Sequence, residues 1–320
     1  MVDIINKSKS NKRTRNKTIK RGTTPFPIDV VYTWKGEAVS NDRRLGYNHE
    51  LQYSLRSVHL FAPWVNKIYI LMNKSKQPSW IKKNSKIIIV DHSETFPSDK
   101  YLPNTNSNAI ETTIANIKGL SNHYIYFNDD IFLGRKVKYT DFFTNDGKAL
   151  IDDYTRYTRN IVKKTGEQKL KFELPKSTDK LYKHIPISLI KNLVLDFNDI
   201  YSDYVHWIRM TKKRKDKGYD ICEKNNLLSP CQQIHYPIAE FMYLHKKAKL
   251  IDNENTASVY VSSASDIDEF SEKLDNIITR RPKFFCINDA ESEPVKRKVI
   301  ASLMLSFFNK YFPDKADFEK

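Results

Sequence analysis

The sequence predicts an α/β fold built on a mainly parallel sheet. Short apolar runs of strand length recur along the chain, and segments with apolar residues at helical spacing lie between them. Three of the runs also end abruptly in polar, acid-bearing exits. In open α/β sheets ligands bind beyond the carboxyl ends of the strands, so these exits together point to one shared site.

The first run is IDVVYTW at 28–34, which carries Asp29 inside an otherwise apolar strand. A carboxylate there is either bonded to nearby backbone amides or turned to a cleft for substrate. Next comes a helix through Leu51, Leu55, Val58 and Ala62, closed by Pro63. Asn48 and Arg56 lie off its apolar face, and Arg56 has the fork geometry that suits phosphate. KIYILM at 67–72 and KIIIV at 86–90 are the next strands, the latter ending in Asp91-His92.

NAIETTIANIKGL, residues 108–120, reads as a helix with Ile110, Ile114 and Ile117 on one face, an Asn108/Glu111 capping box and Gly119 at its end. Asn106 and Ser107 stand just ahead of it, where a helix N-terminus favours anions. YIYF at 124–127 then ends in Asn128-Asp129-Asp130. Two carboxylates after a buried strand need water, donors or a cation, and one of them is suited to act as a base.

From about 150 to 250 the spacing of Leu189, Leu193 and Phe197, and of Ile234, Ile238, Phe241 and Met242, predicts a largely helical insertion. His184 and Arg209 fall in it and are unremarkable by spacing alone. KFFCI at 283–287 is the last strand and exits into Asn288-Asp289. A final helix at 295–308 places Val295, Val299, Leu303 and Phe307 on one face, with Pro294 in its first turn.

Composition narrows the class. The 40% hydrophobic and 12% aromatic content belongs to a globular chain. No apolar run is long enough for a transmembrane helix, and the N-terminus lacks the apolar core of a signal peptide. Cys222, Cys231 and Cys286 show no metal-site spacing, which predicts a reduced, cytoplasmic setting. Of the net charge of +16, residues 1–22 supply eight Lys and Arg against Asp3. Residues 1–25 read as a basic, disordered tail with at most weak contact to anionic membrane. The basic run at 212–217 lacks aromatics and that at 163–176 holds the single Phe172, too few for a stacking platform, so no specific nucleic-acid partner is expected.

Taken together these stretches resemble the Stealth family of sugar-phosphate transferases. The resemblance rests on FPIDVVYTW at 26–34, then NHELQYSLRSVHLFAPWVNKIYIL, LPNTNSNAIE and GLSNHYIYFNDDIFLGR up to Arg135. HIPISLI with HWIR between 184 and 209 and KFFCINDAESE at 283–293 complete it, so it spans most of 26–320 as one catalytic domain. The family's usual Trp-Val-Asp or Trp-Val-Asn step is Trp34-Lys35-Gly36 in this chain.

The resemblance implies a Rossmann-like, glycosyltransferase-A-like core and a divalent cation, Mg²⁺ or Mn²⁺. It implies transfer of a sugar-1-phosphate from a nucleotide sugar, such as UDP-N-acetylglucosamine, to a glycan hydroxyl with release of a nucleoside monophosphate. By motif it carries catalytic roles to Asp29, Asp130, His184 and Arg209. Asn48, Arg56, Asn106, Ser107, Asn128 and Asn288 are expected to bind substrate, and Asp129 and Asp289 to hold the metal. Which aspartate is base and which is ligand stays open. A glycosyltransferase releasing nucleoside diphosphate and a basic nucleic-acid-binding protein are the competing readings.

Overall fold

The computed structural model describes residues 24–36, 49–82, 86–152, 161–163, 170–172, 185–213, 234–251, 255–261, 266–289, 291 and 293–320. The basic tail, apart from Thr24 and Pro25, lies outside them, as do Asn48, His184, Cys222 and Cys231.

The chain runs β1 (Ile28–Thr33), α1 (Glu50–Phe61), β2 (Ile68–Met72), β3 (Ile87–Asp91), α2 (Ser107–Glu111), β4 (His123–Phe127), β5 (Ile131–Leu133) and β6 (Ala149–Asp152). Next come β7 (Ile161–Lys163), β8 (Leu170–Phe172), β9 (Ile187–Ile190), α3 (Lys191–Ile200), α4 (Ser202–Met210), α5 (His235–Leu244) and β10 (Ala248–Ile251). The chain ends with β11 (Thr256–Val261), α6 (Ile267–Arg280), β12 (Phe284–Asp289) and α7 (Pro294–Tyr311).

The central sheet has the order β3-β2-β1-β4-β9. Its first four strands are parallel and β9 is antiparallel to β4. Parallel strands are covered on both faces, which is why β2 is apolar and buried along its whole length. Because β2 and β3 lie on one side of β1 and β4 on the other, the strand order reverses between β1 and β4.

Four expectations change. KFFCI becomes β12, but it lies in a second sheet of order β11-β12-β5 rather than in the central one. The place beside β4 goes to β9, from the segment expected to be helical, and that segment also carries β6, β7, β8 and β10. An apolar run encodes burial on both faces and says nothing about which neighbour provides it.

The helix expected over 108–120 is a five-residue α2 followed by a 3₁₀ turn at Ile114–Asn116. Thr112 and Thr113 donate their hydroxyls back to Ala109 O (2.7 Å) and Ile110 O (2.8 Å), a local bond that competes with helix propagation. Its N-cap is Asn106, not Asn108.

Finally, α7 buries Ile300, Met304, Phe307, Phe308 and Tyr311, while Val295 and Val299 face out. Its start matches the expectation: Pro294 sits in the first turn and Glu293 caps the amides of Val295 and Lys296. Among the described residues no helix is long and apolar enough to cross a membrane.

Candidate functional site

The reversal of strand order between β1 and β4 opens a crevice at their carboxyl ends, the place where α/β sheets take ligands. Thr33, the last residue of β1, meets the Tyr126 hydroxyl of β4 at 2.8 Å. One residue beyond Tyr126 the strand ends, and Asn128-Asp129-Asp130 turn directly into β5, with Ile131 N bonded to Asn128 O (3.3 Å).

Two serines on α1 hold this turn. Ser54 donates to Ile131 O and meets the Tyr32 hydroxyl at 2.8 Å. Ser57 Oγ accepts from Leu133 N at 3.0 Å. Both serines are fully buried, so they satisfy one edge of β5 where an apolar helix face would leave its backbone unpaired. Gly134 closes the segment: a Cβ there would sit 2.2 Å from the Pro282 carbonyl oxygen, so no larger residue fits.

The other edge of β5 pairs antiparallel with β12, with Ile131 opposite Cys286. Alternation along β12 then puts Cys286 and Asn288 on the same face. Asn288 Nδ2 donates to Asp130 Oδ2 at 2.8 Å, and Cys286 Sγ lies 3.5 Å from the same oxygen. The β4 and β12 exits therefore meet, as the sequence predicts. The β3 exit does not join them, because Asp91 caps its own 3₁₀ turn and accepts from Lys74 N (2.8 Å).

Charge is concentrated at this meeting point. Burial, then the Asp130 charge, pushes the Asp129 carboxyl up to about 7. Asp130 Oδ1 is buried with no hydrogen-bond partner in the protein. Burial and both aspartates push the Cys286 thiol far up, which makes it a neutral donor to Asp130 rather than a nucleophile. An orphaned carboxylate oxygen beside a second, strained carboxylate suits a hard divalent cation. Asp289 points the other way along β12, accepting from Glu291 N at 2.8 Å, and among the described residues no three acids, histidines or cysteines form a metal-holding group.

A second wall comes from α2, α4 and α5. Glu111, which the sequence explains as a cap, is instead a buried carboxylate of the crevice. The Tyr126 hydroxyl donates to its Oε1 at 3.1 Å and His235 Nδ1 lies 3.3 Å from its Oε2. Burial, then the charge of Glu111 and, more weakly, that of Asp129 raise the Tyr126 hydroxyl, so both carboxylates act on one phenol.

Arg209 reaches the same wall. Its Nε donates to Thr112 Oγ1 (2.8 Å) and its Nη2 to Thr112 O (3.1 Å). Burial lowers its pKa, against a smaller opposing effect of Tyr101, and among the described residues no carboxylate pairs with it. The end of α4 is fixed by Asn104 Nδ2 on Arg209 O (3.0 Å) and Asn106 Nδ2 on Thr211 O (2.9 Å).

Three of the expected site residues, Asn106 and Arg56 for binding and Asp29 for catalysis, are thus occupied by the fold. Asn106 uses its amide nitrogen on α4 and its oxygen to cap Asn108 N (3.2 Å). Asp29 sits at the amino end of β1 and accepts from Asn66 Nδ2 (2.8 Å), Lys67 N (3.0 Å) and Ser121 N (2.7 Å). That is roughly 15 Å of strand away from the crevice.

Arg56 is buried and forks onto Glu319, at 2.5 Å from Nε and 2.7 Å from Nη2, while Nη1 donates to Phe312 O at 2.8 Å. Burial opposes charge on Glu319, yet the bonds from Arg56, Ala316 N and Gln52 hold its carboxyl below the usual range. Asn128 and Ser107 are half-buried, Asn128 in the turn that carries the aspartate pair and Ser107 at the start of α2. The positions of Asn48 and His184 fall outside the described residues.

Comparison with known proteins is consistent with this geometry. The family descriptions "Stealth protein CR2, conserved region 2" and "Stealth protein CR4, conserved region 4" match residues 44–151 and 275–320. Those two stretches hold α1, the Asp129-Asp130 turn, Glu111, and β12 with Asn288 and Asp289. An exopolysaccharide phosphotransferase of Streptomyces coelicolor is 28% identical across 92% of this chain and 57% of its own length. One of Mycobacterium leprae shows the same identity and coverage, and one of Lactiplantibacillus plantarum is 28% identical across 92% of this chain and 97% of its own. The chain thus spans a little over half the length of the Streptomyces and Mycobacterium relatives and nearly all of the Lactiplantibacillus one.

Proposed function

Because the chain belongs to the Stealth family, we propose that it transfers a sugar-1-phosphate from a nucleotide sugar to a hydroxyl of a glycan and releases a nucleoside monophosphate. The observation that carries this reading is the Asp129-Asp130 pair at the β1/β4 reversal, one carboxyl pushed up to about 7 and the other with an unpartnered oxygen. Such a pair is built for charge, and phosphoryl transfer is mainly a problem of positioning and charge neutralisation.

The acceptor oxygen attacks the sugar-bearing phosphorus, a new P–O bond forms, and the bridging P–O bond to the nucleotide breaks. The electron pair leaves on the nucleoside monophosphate. Glu111 takes the acceptor proton: it is buried, held from both sides and separate from the aspartate pair. Arg209, with two of its five N–H groups on Thr112, offers the others to the diphosphate.

Asp129 and Asp130 would hold Mg²⁺ or Mn²⁺, which would add positive charge against the phosphate oxygens. Asn288 and the Cys286 thiol orient Asp130 so that Oδ1 is the oxygen offered. A glycosyltransferase-A-like description of the core is supported by the parallel β3-β2-β1-β4 order followed by antiparallel β9. The nucleotide-sugar donor suggests a cytoplasmic reaction.

The test is to incubate the protein with a set of nucleotide sugars, an exopolysaccharide acceptor and Mg²⁺ or Mn²⁺, and to identify the nucleotide product by mass spectrometry. Monophosphate supports the reading. Diphosphate would assign the protein to glycosyl transfer instead.

A further inference from the structure

We propose that His235 is a positioning residue for the transfer reaction: from the first turn of α5 it fixes the carboxylate of Glu111 in the orientation that receives the acceptor proton. The inference rests on the reading of Glu111 above and extends it to a residue from the inserted segment.

Four features of the geometry carry it. His235 is 4% exposed and Glu111 7%, so their contact is made away from bulk water, where a hydrogen bond to a carboxylate is worth most. The two oxygens of Glu111 are held by different elements, Oε1 by Tyr126 of β4 and Oε2 by His235 of α5. The Tyr126 hydroxyl is itself tied to Thr33 at the end of β1. The Tyr126 and His235 rings stand 5.7 Å apart, centroid to centroid, so the two holders also pack on each other.

An ionised carboxylate only accepts hydrogen bonds, which requires the proton on His235 Nδ1. Held at both oxygens, Glu111 cannot rotate its carboxyl group. One lone pair on each oxygen is used by the protein, and the others remain for the acceptor hydroxyl. When that hydroxyl attacks, its proton passes to Glu111, its oxygen bonds to phosphorus, and the nucleoside monophosphate departs with the electron pair of the broken bridge. His235 gives up no proton in this step and touches no reacting atom. Its effect is on kcat through the geometry of the base.

The experiment compares the full chain with His235→Phe, which fills the site but has no Nδ1, and His235→Asn, whose amide nitrogen falls near the Nδ1 position. kcat and KM for the nucleotide sugar are measured alongside thermal melting. We expect His235→Phe to lose roughly 10- to 100-fold in kcat with donor KM within about twofold, and His235→Asn to recover most of that loss. If the phenyl ring lowers the melting temperature, His235→Ala replaces it in the comparison.

Unchanged kcat in the Phe or Ala protein overturns the proposal, and so does a loss in a well-folded variant that Asn fails to recover. A readout independent of turnover separates this from failure of the functional reading. The ¹³C carboxyl resonance of Glu111, assigned with Glu111→Gln, should shift in His235→Phe and return in His235→Asn. A resonance that does not move overturns the positioning role, whereas a shift in a protein that releases no monophosphate faults the reaction assignment alone.

Discussion

Asp129→Asn should make the protein more stable above neutral pH while removing its activity. Asp129 has a reference value of 3.8 and is pushed up to about 7 by burial and then by Asp130. Between those values the folded state keeps a proton that the unfolded chain has released. The folded state therefore binds more protons there, and stability falls as pH rises from about 4 to about 7. Roughly three pH units at about 1.36 kcal/mol each give a ceiling of about 4 kcal/mol. Partial exposure of the side chain screens part of that, so about 2 kcal/mol is the working figure.

Asparagine has no charge to bury, so Asp129→Asn escapes this cost. With an unfolding entropy of roughly 2 cal/mol/K per residue, a chain of 320 residues should melt about 3 to 6 °C higher than wild type at pH 8. The difference should shrink towards zero near pH 4. Calorimetry of both proteins across pH 4–8, with monophosphate release measured at pH 8, checks it. A variant that is less stable than wild type at pH 8, or more stable by the same amount at every pH, would refute the placement of a strained carboxylate at this site.

Other predictions follow from the same geometry. Mg²⁺ or Mn²⁺ at millimolar concentration should raise the melting temperature of wild type at pH 8 and leave Asp129→Asn unmoved, as read by thermal shift with and without EDTA. Arg209→Lys keeps a charge but loses the fork on Thr112, so donor KM should rise about tenfold or more, measured by steady-state kinetics. Glu319→Ala strands the Arg56 guanidinium in a buried site and should cost about 3 to 5 kcal/mol in denaturant unfolding. Asn288→Ala should lower kcat far more than it lowers stability, because it releases Asp130 without touching the core.

Much of the central sheet could be read from the sequence because parallel strands are buried on both faces. IDVVYTW, KIYILM, KIIIV and YIYF became β1 to β4 within one or two residues. The same apolar logic could not tell that KFFCI joins a second sheet, since burial has no address. Asp130 was legible because a carboxylate after a buried strand always demands a partner.

Arg56 was not legible, since the partner that occupies it, Glu319, lies 263 residues further on. Asp29 carried a usable signal in its position: as the second residue of β1 it had to lie at the amino edge, opposite the crevice. Glu111 was hidden by a sufficient local explanation. It fits a capping pattern, and the approach of Tyr126 and of His235, 15 and 124 residues away, reveals its place in the crevice.

The nucleotide released from a sugar nucleotide distinguishes phosphoryl transfer from glycosyl transfer in a single measurement. The wild-type protein, with Mg²⁺ or Mn²⁺ and a glycan acceptor, should release nucleoside monophosphate and leave a phosphodiester on the acceptor, and Asp130→Ala should release neither. Release of nucleoside diphosphate, or full turnover by Asp130→Ala, would contradict that expectation.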